Sequence, residues 1–322
     1  MFTFNSVLRF FRKIINETAQ TAWILFKIMI PISIAVKIIQ ELNLLPYLGK
    51  ALAPLMNLVG LPGETGLIWA SALIVNIYGG ILTYLSLAPT LSLTTAQLTI
   101  LLTMILVAHT FPIELQIARK AGIKTVVMFI IRFGFALVLG FIMYKSYQLL
   151  DVFQSSAPLP QIIPQKNSTL IAWAINELQN YATILVFVFS LLTILEILKI
   201  THIIDLINKA LYPMLKVLGI GKEVLPITMI GLTLGISYGG AFIIKEANEG
   251  KASRRDVFYA MTLMGLCHSM IEDTLLMVAM GGNVSGILFA RIIFALLVSF
   301  LLVKATKKMS DLKFNKWFLI KN

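Results

Sequence analysis

The chain is written twice. Lys50-Ala51-Leu52-x-Pro54 recurs as Lys209-Ala210-Leu211-x-Pro213, and Gly60 and Glu64 recur as Gly219 and Glu223. Tyr78-Gly79-Gly80 returns as Tyr238-Gly239-Gly240, His109 as His268, and Arg132-x-x-Phe135-Ala136-Leu137 as Arg291-x-x-Phe294-Ala295-Leu296. The offset is 159 except at the Tyr-Gly-Gly triplets, where it is 160, so one inserted residue is absorbed and then removed. Matches this collinear mark a duplication. The two halves must then share one fold.

Composition places both copies in a membrane. With 58% hydrophobic and 13% charged residues and a mean hydropathy of +0.87, the chain is far more apolar than a soluble domain. Apolar runs long enough to span occupy roughly 22–39, 67–87, 98–117, 126–144, 182–198, 224–244, 257–280 and 286–303. A polytopic all-α membrane protein is expected. The first fifteen residues are amphipathic, carry Arg9, Arg12 and Lys13, and show no small-residue cleavage site, which argues against a signal peptide. A single cysteine, Cys267, excludes an internal disulfide and a cysteine-based metal cluster.

The net charge of +12 would point to nucleic acid in a soluble protein. Here the basic residues crowd the two termini, with Lys304, Lys307, Lys308, Lys313, Lys316 and Lys321 at the end. That bias reads as cytoplasmic termini near anionic lipid, and nucleic acid is not an expected partner.

The loops set the orientation of the copies. In the first copy the connection 86–97 is uncharged, while Arg119-Lys120-Ala121-Gly122-Ile123-Lys124 is basic. In the second copy the pattern reverses: 245–256 carries Lys245, Lys251, Arg254 and Arg255, and 280–285 is uncharged. Positive loops stay inside, so the repeats are expected to be inverted. Inversion needs an odd number of crossings per copy, and four long runs are visible in each. The missing element is expected in 44–61 and 203–220, which hold Pro54 and Pro213 and could span, re-enter or lie at the interface. The expected layout is two inverted-topology repeats of about five membrane elements each. The first occupies 1–150, an external Pro-rich linker 151–168, the second repeat 169–304, and a basic cytoplasmic tail 305–322. No nucleotide-binding loop of the GxxxxGK[ST] or GxGxxG kind is present, and no cofactor is expected.

Ionisable residues inside spans are costly and mark substrate or ion paths by default. The densest such run is Cys267-His268-Ser269-Met270-Ile271-Glu272-Asp273-Thr274. As a continuous helix it would put His268 and Glu272 on one face and Ser269 and Asp273 on the next. The structural alternative has the two acids near a helix end, paired with Arg291. A buried carboxylate beside a histidine can hold a proton or coordinate a cation, and the residues do not choose between them. The first copy keeps His109 and one acid, Glu114, aligned with Asp273, while Ile113 stands opposite Glu272 and Pro112 opposite Ile271. With the copies inverted, the histidines fall near the midplane and their acids diverge toward opposite faces. The second copy is therefore expected to dominate the chemistry.

Gly231, Gly235 and Gly239 share one helix face, as do Ser71, Val75 and Gly79. Close helix packing explains small residues at this spacing. The functional alternative is that Tyr78-Gly79-Gly80 and Tyr238-Gly239-Gly240 break their helices beside a central cavity and bare backbone groups to a ligand, with Asn76 and Ser237 adding polar contacts. Arg132 and Arg291 are expected to pair with Glu114 and Asp273 rather than snorkel.

The stretch Gly235-Ile236-Ser237-Tyr238-Gly239-Gly240, followed by Ser253-Arg254-Arg255-Asp256-Val257 and by Gly265-Leu266-Cys267-His268-Ser269-Met270-Ile271-Glu272-Asp273-Thr274, resembles bacterial nucleoside-recognition, or Gate, domain membrane proteins. That family is similar to the spore maturation proteins A and B, to the gates of ferrous-iron transporters and to parts of concentrative nucleoside transporters. The resemblance covers essentially the whole chain as two Gate units, with the specific motif in the second. It implies a permease-like fold in the bacterial inner membrane and leaves the substrate open. The gate cysteine-asparagine-proline signature and the GTPase domain of the iron transporters are missing, which weakens iron as cargo. One expected function is a secondary transporter for a small solute or ion, with nucleosides or a metal cation as candidates, coupled to protons or a cation. The other is a non-transporting scaffold that uses the same fold. Partners implied are the lipid bilayer, a small solute or ion, and a second copy or a paired family member. An intramembrane enzyme is not expected, since HExxH is absent and no nucleophile–base pair stands out.

Overall fold

A computed structural model describes residues 4–158 and 169–320, apart from the side chains of residues 4–7, 28, 237, 238 and 248. Every regular element among them is helical. The first half runs α1 (Phe4–Glu41), α2 (Leu45–Asn57), α3 (Thr65–Ile74), α4 (Ile77–Leu87), α5 (Thr95–Val107), α6 (Phe111–Lys120) and α7 (Thr125–Leu149). The second repeats the series as α8 (Leu170–Ile200), α9 (Ile203–Val217), α10 (Leu225–Leu234), α11 (Ile236–Asn248), α12 (Arg254–Leu266) and α13 (Glu272–Ala279). A π-helical turn (Ser285–Ala290) then runs into α14 (Arg291–Lys307). A last helix, α15, spans Asp311–Phe318.

Five stretches are long and apolar enough to cross a bilayer: Leu8–Glu41, Thr95–Lys120, Thr125–Leu149, Leu170–Ile200 and Ser285–Lys307. The long helices α1 and α8 leave Trp23, Ile24, Ile34, Ile171, Leu178 and Val186 exposed. In water such helices would be a liability, whereas against lipid tails these side chains have no reason to hide. This is a membrane protein.

The run 67–87 is not one spanning helix. It folds back on itself. A Cβ on Gly80 would lie 2.7 Å from the Ala72 Cβ, and one on Gly239 would lie 2.5 Å from the Gly231 Cα. Residues eight apart on a straight helix are about 12 Å apart, so α3–α4 and α10–α11 are helical hairpins. The turns fall at Val75–Asn76 and at Gly235. Asn76 is extended there and caps α4, its Oδ1 accepting the Gly79 amide at 2.9 Å. Gly235 has φ +111°, a conformation only glycine adopts without strain. The Tyr-Gly-Gly triplets sit in the first turn of the returning arm, and their glycines let the arms touch.

The runs 98–117 and 257–280 are broken as well, at the histidines. Helix α5 stops at Val107 and α6 starts at Phe111; α12 stops at Leu266 and α13 starts at Glu272. Thr110 and Ser269, equivalent in the repeat, take left-handed φ values of 52° and 47°. Non-glycine residues there cost on the order of 1–3 kcal/mol, so the tertiary setting imposes both breaks. Each break is tied to a hairpin tip: Thr110 N–H donates to Ala72 O at 2.9 Å and Met270 N–H to Leu232 O at 2.8 Å.

Helices α2 and α9 are short; 13 residues make about 20 Å against a hydrocarbon core of roughly 30 Å. They are too short to span on their own. In the first half the stretches long and apolar enough to cross are α1, α5–α6 and α7.

At one end of the bundle, the loop after α6 meets the tail and the start of α12. Lys124 N–H donates to Phe318 O at 3.0 Å and Ile320 N–H to Gly122 O at 2.9 Å. Arg255 bridges Asp311 Oδ1 (2.9 Å) and Thr306 O (2.8 Å). The segment expected as a basic tail includes a docked helix, with Phe314 fully buried against Phe258. At the other end, Thr95 N–H and Ala96 N–H donate to Ser155 O and Phe153 O, and Asn283 N–H donates to Thr99 Oγ1. Residues 153–157 of the expected linker are therefore held in place; 159–168 lie outside the described residues.

Candidate functional site

The two histidines meet. Their Nε2 atoms are 3.3 Å apart, with ring centroids at 5.0 Å. Each imidazole is anchored on the last turn of its own half-helix, His109 Nδ1 to Ile105 O at 2.8 Å and His268 Nδ1 to Met264 O at 2.9 Å. A carbonyl can only accept, so both Nδ1 atoms carry a proton, and in the neutral rings both Nε2 lone pairs point into the centre. Glu114 joins them, its Oε1 lying 3.3 Å from His109 Nε2 and 3.5 Å from His268 Nε2. Ligand atoms of His109, His268 and Asp273 all lie within 4.8 Å of one another. The four residues are 5%, 3%, 4% and 7% exposed for His109, His268, Glu114 and Asp273, so the cluster is occluded.

Helix ends explain how charges tolerate this place. A break strands the last carbonyls of the preceding helix and the first amides of the next, and no water is at hand in a bilayer. Arg132, fully buried, caps α5 by donating from Nε to Val107 O (3.1 Å) and from Nη1 to His109 O (3.3 Å), and it pairs with Glu114. Arg291 caps α12 in the same way, from Nε to Leu266 O (3.4 Å) and from Nη2 to His268 O (2.7 Å). The acids stand in the first turns of α6 and α13, where the helix dipole favours negative charge.

The site differs from the sequence expectation in three ways. His268 and Ser269 lie in a break, so they do not share helix faces with Glu272 and Asp273. Arg291 has no carboxylate within ion-pair range among the described residues; it is occupied by backbone carbonyls, and Asp273 Oδ2 is buried without a hydrogen-bond partner. The acids do not diverge. Glu114 of the first copy reaches the histidine of the second, because the halves interlock at their breaks.

The remaining candidates are distributed around this centre. Tyr78 lies beside it, with its hydroxyl directed to the half-buried Glu272 of the other copy. Ser269 Oγ fills the space where a Gly235 side chain would be. Asn76 is a helix cap, Gly79 and Gly80 are buried in their hairpin, and Gly239 and Gly240 pack on Gly231 and Ile117. The side chains of Ser237 and Tyr238 lie outside the described residues. A second polar group was missed: Glu177, 5% exposed, accepts from Ser86 Oγ at 3.5 Å near Asn180 and a Ser33–Tyr181 hydrogen bond. The signal was an acid inside an apolar helix, hidden because that span was expected to begin at residue 182 rather than 170.

Comparison with known proteins finds a family match and a relative. Residues 22–124 match the family model of the Gate domain, described as nucleoside recognition. A relative in Bacillus subtilis (strain 168), "Uncharacterized membrane protein YvoD", is 27% identical over 296 residues, covering 90% of this chain and 92% of the relative. No solved structure matches. The family match falls on the first copy rather than on the second, where the sequence motif pointed, and it spans α2 to α6 with the later part of α1. From Ala22 to Lys124, through both the first hairpin and the first broken helix, this membrane protein is similar to the Gate domain.

Proposed function

We propose that the chain is a permease-like secondary transporter for a small solute or ion, built as two inverted repeats in the bacterial cytoplasmic membrane. Both termini lie inside. The loops that meet support the inversion: the basic loop after α6 sits with the basic loop before α12, while the neutral segments before α5 and before α14 share the other end. These are non-equivalent loops of the repeat, as an inverted pair requires. Three crossings and one re-entrant hairpin per copy satisfy the positive-inside rule in both halves.

One observation carries the transport reading. Both broken helices converge, with both hairpin tips hydrogen-bonded to them, on a single buried set of titratable groups drawn from both copies. Discontinuous helices meeting at a repeat interface are how transporters line a substrate or ion site. A scaffold has no need to bury Glu114 and Asp273 between two histidines. The family description makes nucleosides candidate cargo, and the histidine–carboxylate set makes a proton or cation the expected coupling species.

The test is uptake into proteoliposomes, screening nucleosides and divalent cations with and without an imposed proton gradient. Wild-type protein is expected to accumulate at least one of them. The near-isosteric Glu114→Gln/Asp273→Asn variant should insert normally and lose that uptake. Wild-type uptake in the double variant would take the cluster out of the transport path, and no uptake of any solute by well-folded protein would count against transport itself.

A further inference from the structure

The centre of the site is shaped for a metal ion, and this inference deepens the transport reading on which it rests. His109 Nε2, His268 Nε2 and Glu114 Oε1 form a triangle with edges of 3.3, 3.3 and 3.5 Å. Tetrahedral coordination with bonds of about 2.0–2.1 Å, usual for zinc with imidazole and carboxylate, separates ligand atoms by roughly 3.3–3.4 Å. Three such atoms make one face of that tetrahedron. Asp273 is the fourth donor at hand, within 4.8 Å of both histidines and with a buried oxygen that no group among the described residues satisfies.

The surrounding groups complete the pattern. Metal-ligating histidines typically give their other N–H to a carbonyl, which fixes the tautomer and turns the free lone pair to the ion. Ile105 O and Met264 O do this here. Arg132 takes the other oxygen of Glu114, orienting the carboxylate without competing for Oε1. Two Nε2 lone pairs and a carboxylate oxygen cannot face one another at these distances unless something positive lies between them. We propose that His109, His268, Glu114 and Asp273 bind one divalent first-row transition-metal ion, of the class of zinc or cobalt, as cargo or coupling ion. Two imidazoles select such an ion over magnesium and calcium, which prefer oxygen ligands throughout. The guanidinium groups of Arg132 and Arg291 nearby temper the affinity, and a transported ion must leave as well as enter.

Cobalt titration of the purified full chain in nanodiscs tests this. One equivalent per chain is expected, with the intense visible absorption of tetrahedral cobalt, displaced by zinc and unaffected by magnesium. Each of His109→Ala and His268→Ala should abolish that band, and Arg132→Lys should weaken binding by about 10–100-fold, as changes behind a ligand do. Should the variants fold poorly, zinc X-ray absorption on the wild-type protein must still show two imidazoles on the metal. Stoichiometric cobalt binding that survives the double histidine variant, a zinc spectrum without imidazole, or no binding at all would overturn the proposal. A proton shared by the histidines would then be what the centre holds. Transport is scored separately. Metal binding without flux of any solute leaves the site standing and removes the transporter, while nucleoside or proton flux without metal binding does the reverse.

Discussion

Arg132 and Arg291 look like ion-pair partners and act first as helix caps. Each sits where a half-helix ends inside the protein, and each offers its planar fork of N–H donors to carbonyls that the break has stranded. Among the described residues, only Arg132 also holds a carboxylate. The two positions, equivalent in sequence, should therefore differ in cost. Arg132→Met leaves Glu114 buried and unpaired and is expected to cost about 3–5 kcal/mol. Arg291→Met strands carbonyls alone and should cost about 1–3 kcal/mol. Thermal unfolding of both variants in one detergent decides it; the reverse order would mean that Arg291, not Arg132, carries the working ion pair. Lysine should rescue neither position fully, since an ammonium is a point donor that cannot bridge the same carbonyls.

At the scale of elements, the hairpins set the geometry. Each tip carbonyl accepts an N–H from a break, so a hairpin that splays also releases the histidine it braces. The second hairpin is the tighter test. A Cβ on Gly239 would meet the Gly231 backbone at 2.5 Å and Met264 Sδ at 2.9 Å, and the backbone cannot step aside. Gly239→Ala should cost about 1–3 kcal/mol through overpacking. Gly134, inside α7 with nothing within 4 Å, is the control. There the same change should be neutral or stabilise by up to about 1 kcal/mol, because alanine gives up less backbone entropy on entering a helix. Denaturation midpoints of the two variants would show the contrast, and equal shifts would mean that the hairpin arms do not touch in the membrane.

At the scale of the molecule, the positive-inside pattern and the crossing count make a directional prediction. In a Cys267→Ser background, Thr90→Cys should react with a membrane-impermeant thiol reagent added outside intact cells. Glu249→Cys should react only after permeabilisation. Both positions are exposed, so access depends on the side of the membrane alone. Labelling of both from outside would overturn the inverted arrangement. The docked α15 belongs to this scale too, because it ties the end of the second copy to the loop after α6 of the first.

The duplication, the membrane setting and the burial of the histidines and their acids were legible in the residues, because repeats, apolar runs and buried charges leave marks of composition and spacing. The breaks were not. Pro112 hints at a start for α6, but Ile271 stands in its place in the second copy, and nothing local tells a continuous apolar helix from one interrupted at His109 or His268. The hairpins are hidden for the same reason, since glycines eight apart serve a straight packed helix as well as a fold-back. Only when the halves interlock does Glu114 meet both histidines, 159 residues apart. Hydrophobicity is additive along the chain and can be read from it. Where a helix must yield is decided by what satisfies its freed backbone groups, and those partners, Arg132, Arg291 and the hairpin carbonyls, come from other helices.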